Sequence, residues 1–137
     1  MNSVVLRKNG GFYLCFDNDA IIIAYLFGYK IVNGRVGFPI NSLNKITNLL
    51  EDNCINYSIK ENLEEVNKKS FGKKNKYKSY LEKGKNKLYL DKRINTIMDK
   101  INNLEYDKLN NLLDVIEKNI WIMILLLLRI LNYLFIL

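Results

Sequence analysis

Apolar and polar positions alternate strictly at the start of the chain. Val4, Leu6 and Lys8 lead into Asn9-Gly10, and Phe12, Leu14 and Phe16 resume the alternation beyond it. Asn-Gly tolerates positive φ at both central positions of a two-residue turn, so the pattern predicts a β-hairpin. The same grammar recurs at Asn33-Gly34, between residues 29–32 and 35–38. Between the two turns lies Asp17-Asn18-Asp19-Ala20, then Ile21, Ile22, Ile23, Ala24, Tyr25, Leu26 and Gly28. The isoleucine triplet reads equally as a strand. An Asp or Asn N-cap, carboxylates in the first turn and Gly28 as a left-handed stop favour a short, nearly all-round buried helix.

Pro39 closes the second hairpin, and Asn41 or Ser42 can cap a second helix whose Leu43, Ile46, Leu49 and Leu50 share one face. Ile55, Tyr57 and Ile59 then alternate with Asn56, Ser58 and Lys60, as a half-buried strand does. The predicted order over residues 3–60 is β-β-α-β-β-α-β. This defines an α+β domain at 1–60, a small mixed β-sheet with two β-hairpins and two helices. Beyond Lys60 the regularity fades. Residues 61–90 are polar and lysine-rich, interleaved with Phe71, Tyr77, Tyr80 and Tyr89, and read as a basic linker exposed to proteases between Lys68 and Lys87.

Residues 91–119 read as an antiparallel helical pair. Ile94, Ile97, Met98, Ile101 and Leu104 form one apolar stripe, and Leu109, Leu112, Leu113 and Ile116 form the other, with a short connection at Glu105 to Asp107. The final run, 120–137, opens at Ile120, closes at Leu137 and is apolar apart from Arg129 and Asn132. As a helix it would reach about 27 Å, marginal for a bilayer, and a central Arg is costly there. Three readings stand. The tail is a membrane anchor, a buried or oligomerising helix that packs in the fold, on a protein partner or on a second copy, or an out-of-frame end after Glu117.

Composition narrows the chemistry. The 137 residues contain no His, which removes the commonest general base and most zinc-ligand sets. Cys15 and Cys54 are two thiols in apolar surroundings, expected as buried and reduced in a cytoplasmic protein. No P-loop, dinucleotide fingerprint, nucleophile elbow or zincin motif occurs. Asp17 and Asp19 are better read as helix-capping carboxylates than as a metal pair, so neither an enzyme nor a cofactor is expected. No secretory leader is expected either, because the first eleven residues lack an apolar run. The net charge of +7 is uneven: eleven Lys or Arg between Lys68 and Arg93 face only Glu82 and Asp91, a local balance of +9. About −2 remains for the rest. Such a basic segment suits a polyanion, either nucleic acid or an anionic membrane face, and also suits a solvated linker rich in lysine through codon bias.

One stretch has a familiar arrangement. Gly11-Phe12-Tyr13, Phe16, Asp19-Ala20, Gly37-Phe38-Pro39, Ser42-Leu43, Lys45 and Leu49-Leu50 stand in the order and spacing of a known domain. They resemble the amino-terminal mismatch-recognition domain of the MutS family over roughly residues 3–60. The resemblance implies a non-catalytic DNA-binding module in which Phe12 would stack on a mispaired base. Leu14 stands where that family carries the hydrogen-bonding Glu, so the resemblance supplies a π-face without that readout. With no counterpart of the family's connector, clamp and ATPase domains, a standalone module is expected. The alternation alone allows a different role for Phe12, as a core residue with Leu14 and Phe16. The expected nucleic-acid contacts are Phe12, Tyr13, Tyr77 and Tyr80 for stacking, and Lys68, Lys69, Lys73, Lys74, Lys76 and Lys78 for phosphates.

Overall fold

The computed structural model describes residues 2–136, with side chains through Ile130. It divides into two compact units, Met1–Asp91 and Lys92–Leu137. The chain is α+β, as its patterning implies.

The first unit is built on strands β1 (Val4–Asn9), β2 (Phe12–Phe16), β3 (Arg35–Pro39), β4 (Tyr57–Glu61) and β5 (Glu64–Lys69). Helices α1 (Asp17–Phe27), α2 (Leu43–Asp52) and the start of α3 (Tyr77–Asn102) complete it. The sheet order is β3-β2-β1-β4-β5, with β1 and β4 parallel and the other neighbours antiparallel. The first hairpin forms as predicted, but its turn is Gly10-Gly11, because Asn9 pairs with Phe12. Positive φ is confined there to Gly10 (57°).

The inner face of the sheet carries Val4, Leu6, Tyr13, Cys15, Val36, Phe38, Tyr57 and Ile59. These pack against Ala20, Ile22 and Ile23 of α1, Ile46 and Leu50 of α2, and Tyr77 of α3. The core parity on β2 is therefore Tyr13 and Cys15. Phe12, Leu14 and Phe16 take the opposite face.

Several expectations need correction. Asn33 and Gly34 do adopt positive φ (50° and 71°) and close a turn, but pairing there stops at a single bridge, Val32 to Arg35. β3 is instead taken up as the neighbour of β2, which offers a five-residue ladder. Neither helix uses a side-chain cap: Phe16 and Ser42 hold the N-cap positions without one, and a 3₁₀ turn (Ile40–Ser42) leads into α2. Gly28 does end α1 in the left-handed conformation (φ 72°), its N–H donating to Ala24 O. Ser58 in β4 and Asn56 just before it are buried as well, although their parity is opposite to that of Tyr57 and Ile59, so the half-buried alternation expected there holds only toward Lys60.

Residues 61–90 are folded rather than a linker. They supply β5, a 3₁₀ turn (Gly72–Lys74) and the first part of α3. Two asparagines explain the docking of this segment. Asn56 Oδ1 accepts the Phe71 N–H (2.8 Å), and Asn75 Oδ1 accepts the N–H groups of Asn56 (3.0 Å) and Tyr77 (3.2 Å). Gly84 brings α3 so close to α1 that a Cβ there would lie 2.6 Å from Ile21 Cγ2.

The second unit contains the end of α3 and α4 (Tyr106–Ile136). The connection falls at residues 103–105, near the predicted place. The two apolar stripes do not bury one another along their length. Ile94, Ile97 and Met98 stay exposed, while Ile101, Leu109, Leu112 and Ile116 reach only half-burial. The hairpin's second helix and the tail are one continuous helix, since no Gly or Pro interrupts residues 106–136. Among the described residues, no helix is long and apolar enough to cross a membrane. The anchor expectation for Ile120 to Leu137 extends into residues 131–137, whose side chains lie outside the described residues.

Candidate nucleic-acid interface

Strand parity leaves the sheet with one face for the helices and one for solvent. The cross-strand register lays out that outer face in rows. Gly37, Leu14, Arg7, Lys60 and Glu65 are successive partners across all five strands. On one side of this row Phe16 pairs with Arg35, and Val5 is followed by Ser58 and Lys68. On the other side Phe12 lies between Asn9 and Pro39. Phe12 is 52% exposed and Phe16 39%, an unusual exposure for two rings on one strand. Arg7, Arg35 and Lys60 stand on the strands around them, and a shallow depression of about 280 Å³ opens over Arg7, Leu14, Phe16 and Lys60. Leu63, 90% exposed at the β4–β5 turn, borders it. Flat aromatic rings among cations can take both the π-face of a base and the charge of a phosphate.

Of the residues expected to contact nucleic acid, Phe12 is on this face. Lys68 joins it from β5, with its ammonium 3.5 Å from Glu65. Lys69 is on the opposite face of β5, its ammonium 6.0 Å from the Phe71 ring centre. Lys73 and Lys74 lie in the 3₁₀ turn, with Lys76 just before α3 and Lys78 in its first turn, and all four are exposed.

Three tyrosines leave the list of stacking groups. Tyr13 is in the core, its ring stacked 6.0 Å from Phe38 and its hydroxyl donating to Glu61 Oε1 (2.7 Å). Burial and that carboxylate push its pKa up to about 12. Tyr77 is buried, and its hydroxyl donates to Asp19 Oδ1 (2.6 Å), with its pKa raised by burial and by the same carboxylate. Tyr80 is half-buried against the core and donates to Asn53 Oδ1. The lysine-rich text around these rings suggested stacking, but the rings are anchors that hold α3 to the sheet.

Asp19 has a structural task as well. Its Oδ2 accepts the Val5 N–H (3.0 Å) near the start of β1, before the β1–β2 register that runs from Arg7 to Asn9. Burial raises the Asp19 pKa, against the opposing pull of the Tyr77 and Val5 hydrogen bonds. At the far end of the sheet Glu61 sits between the Tyr13 hydroxyl and the Lys8 ammonium (3.2 Å), which hold its carboxyl below the usual range. Among the described residues, no three His, Cys, Asp or Glu side chains come together to hold a metal ion. Arg7, Arg35, Lys60 and Phe16 were not foreseen as site residues. Their signal was positional: each has the parity opposite to the core residues of its strand.

In comparison with known proteins, no family model and no curated protein matches the chain.

Proposed function

We propose that the Met1–Asp91 unit is a non-catalytic nucleic-acid-binding module, related in kind to the mismatch-recognition domain of the MutS family. Its ligand lies on the outer face of the sheet. The observation that carries this reading is the pair of exposed rings, Phe12 and Phe16 on β2, with Arg7 and Arg35 on the adjacent strands β1 and β3 and Lys60 one strand further on β4. The family resemblance adds a reason to place the base at Phe12. Leu14, directly opposite Arg7, leaves that cation without a carboxylate across the strand, so affinity for phosphate is favoured over discrimination of the base. The reading places the protein in the cytoplasm, where its free cysteines, Cys15 and Cys54, stay reduced.

The test is binding to single-stranded, matched and mismatched duplex oligonucleotides across a salt series. Phosphate contacts make affinity fall with salt, by a slope of about 0.7–0.9 per neutralised phosphate. Arg7→Gln with Lys60→Gln should weaken binding and flatten that slope. Phe12→Ala should weaken binding by about 1–3 kcal/mol per stacked base and leave the slope unchanged. Leu14→Glu, which restores the family's carboxylate beside Arg7, should raise the preference for a mismatched duplex. An unmodified protein with no salt-sensitive binding to any of these ligands refutes the proposal.

A second reading concerns the second unit. Side chains from Ile120 to Ile130 are exposed on every side of α4, as suits a helix that docks on a protein partner or on another apolar surface. Co-sedimentation of the full chain with vesicles, compared with a chain ending at Asn119, tests the membrane alternative.

A further inference from the structure

Strand β5 ends the sheet. Among the described residues it pairs with β4 on one side and with no strand on the other, and all six of its residues are exposed. Its sequence, Glu64-Glu65-Val66-Asn67-Lys68-Lys69, is charge-antisymmetric, with two carboxylates, a neutral centre and two ammonium groups. The faces matter as much as the order. Opposite residues of an antiparallel pair lie on the same face of the sheet. In a regular strand Glu65 and Lys68, three apart, would point to opposite faces. Here the register slips between Ile59 and Lys60, so that Ile59 pairs with Asn67 but Lys60 with Glu65, leaving Val66 as an extra residue. As a result Glu65 and Lys68 share the outer face, opposite Lys60 and Ser58. Glu64 and Lys69 share the inner face, opposite Glu61 and Tyr57.

We propose that β5 pairs with β5 of a second copy of this chain, antiparallel about a two-fold axis perpendicular to the sheet between Val66 and Asn67. That axis sets Glu64 opposite Lys69 of the second copy and Glu65 opposite Lys68, with each pair on a single face. Every carboxylate of the edge then meets an ammonium. The bulge selects the partner: an exposed edge is a general hazard, and a bulge spoils pairing with a regular strand. A second bulged copy carries the same shift of face and restores the match. The exchange gives up two exposed interactions, the Glu65–Lys68 ion pair (3.5 Å) and the Lys68 N–H bond to Asn67 Oδ1 (2.7 Å). Both are solvent-screened and weak. The result is a continuous sheet of twice the width, and the inference does not rest on the nucleic-acid reading.

Sedimentation velocity of the full chain over a concentration series tests this. The 16.1 kDa chain should pass reversibly into a species of twice that mass. Glu64→Lys with Glu65→Lys makes every cross-strand pair repulsive and should weaken the dimer about tenfold or more. Lys68→Glu with Lys69→Glu should do the same. Mixing these two variants should restore a dimer, as should combining all four substitutions in one chain. All four side chains are exposed, and circular dichroism checks that each variant folds. Independently of any variant, hydrogen exchange at the amides of residues 64–69 should slow as concentration rises. A monomer at every concentration up to the millimolar range overturns the proposal. So does association that both charge-reversed variants retain unchanged, which would belong to another surface such as α4, or concentration-independent exchange in β5.

Discussion

Replacing Gly84 by alanine separates a packed α3 from a helical linker by the sign of the effect. In an exposed helix the change stabilises by about 1 kcal/mol, because glycine loses more backbone entropy. At this site the new Cβ would lie 2.6 Å from Ile21 Cγ2, 3.1 Å from Ile21 O and 3.4 Å from Tyr25 Cβ. Ile21 is β-branched and stiff at χ1, and its carbonyl belongs to the α1 backbone, so neither can move aside alone. Overpacking of this kind destabilises by about 1–3 kcal/mol. The short contacts to a stiff side chain and to a backbone oxygen put the cost in the upper part of that range, about 2–3 kcal/mol. With the propensity gain of about 1 kcal/mol set against it, Gly84→Ala should lose about 1–2 kcal/mol, and melting should fall by roughly 4–8 °C per kcal/mol in a domain of this size. Asn86→Ala, exposed on the same helix, is the control and should gain a few tenths of a kcal/mol. Trp121 is the only tryptophan and lies in α4, so the unfolding probe is near-ultraviolet dichroism of the core tyrosines. A Gly84→Ala protein as stable as the parent, or more stable, would refute close packing of α3 on α1.

Asp19→Ala should destabilise by about 2–4 kcal/mol in urea unfolding, because the Val5 N–H and the Tyr77 hydroxyl both lose their acceptor. Burial raises the folded Asp19 pKa above its unfolded value near 3.9, so the folded state holds the extra proton between the two. This group's contribution to stability therefore declines as pH rises from about 4 through the folded pKa, and Asp19→Asn should abolish that slope in acid-range unfolding curves. Tyr13 and Tyr57 are each pushed up to about 12 by burial and by the carboxylates of Glu61 and Glu51. Their contribution is complete below pH 10 and is lost as pH rises from about 10 to 12, so phenolate absorbance and unfolding should appear together there. Leu63 holds a left-handed φ of 70° at the β4–β5 turn without a glycine, and Leu63→Gly should stabilise by about 1 kcal/mol in thermal melts.

Much of this molecule is written locally. The first hairpin, the Asn33-Gly34 turn, the Gly28 stop and the amphipathic α2 follow from turn chemistry and from period, which act over a few residues. The core face of β2 was also within reach. A two-residue turn pairs even-numbered with odd-numbered positions, so buried Val4 and Leu6 require Tyr13 and Cys15 beside them. That same parity exposes Phe12 and Phe16. Other features have no local signature. The partner of β3 depends on which ladder is longer, and the left-handed Leu63 occupies a position that glycine or asparagine usually signals. Residues 61–90 have the composition of a linker, yet they fold because distant groups meet them: Asn56 takes the Phe71 N–H, Asp19 takes the Tyr77 hydroxyl, and Ile21 meets the bare Cα of Gly84. Burial and hydrogen bonding between residues dozens of positions apart depend on the whole arrangement of the sheet. A tyrosine among lysines therefore looks the same in sequence whether it is an exposed stacking platform or, like Tyr77, a buried anchor.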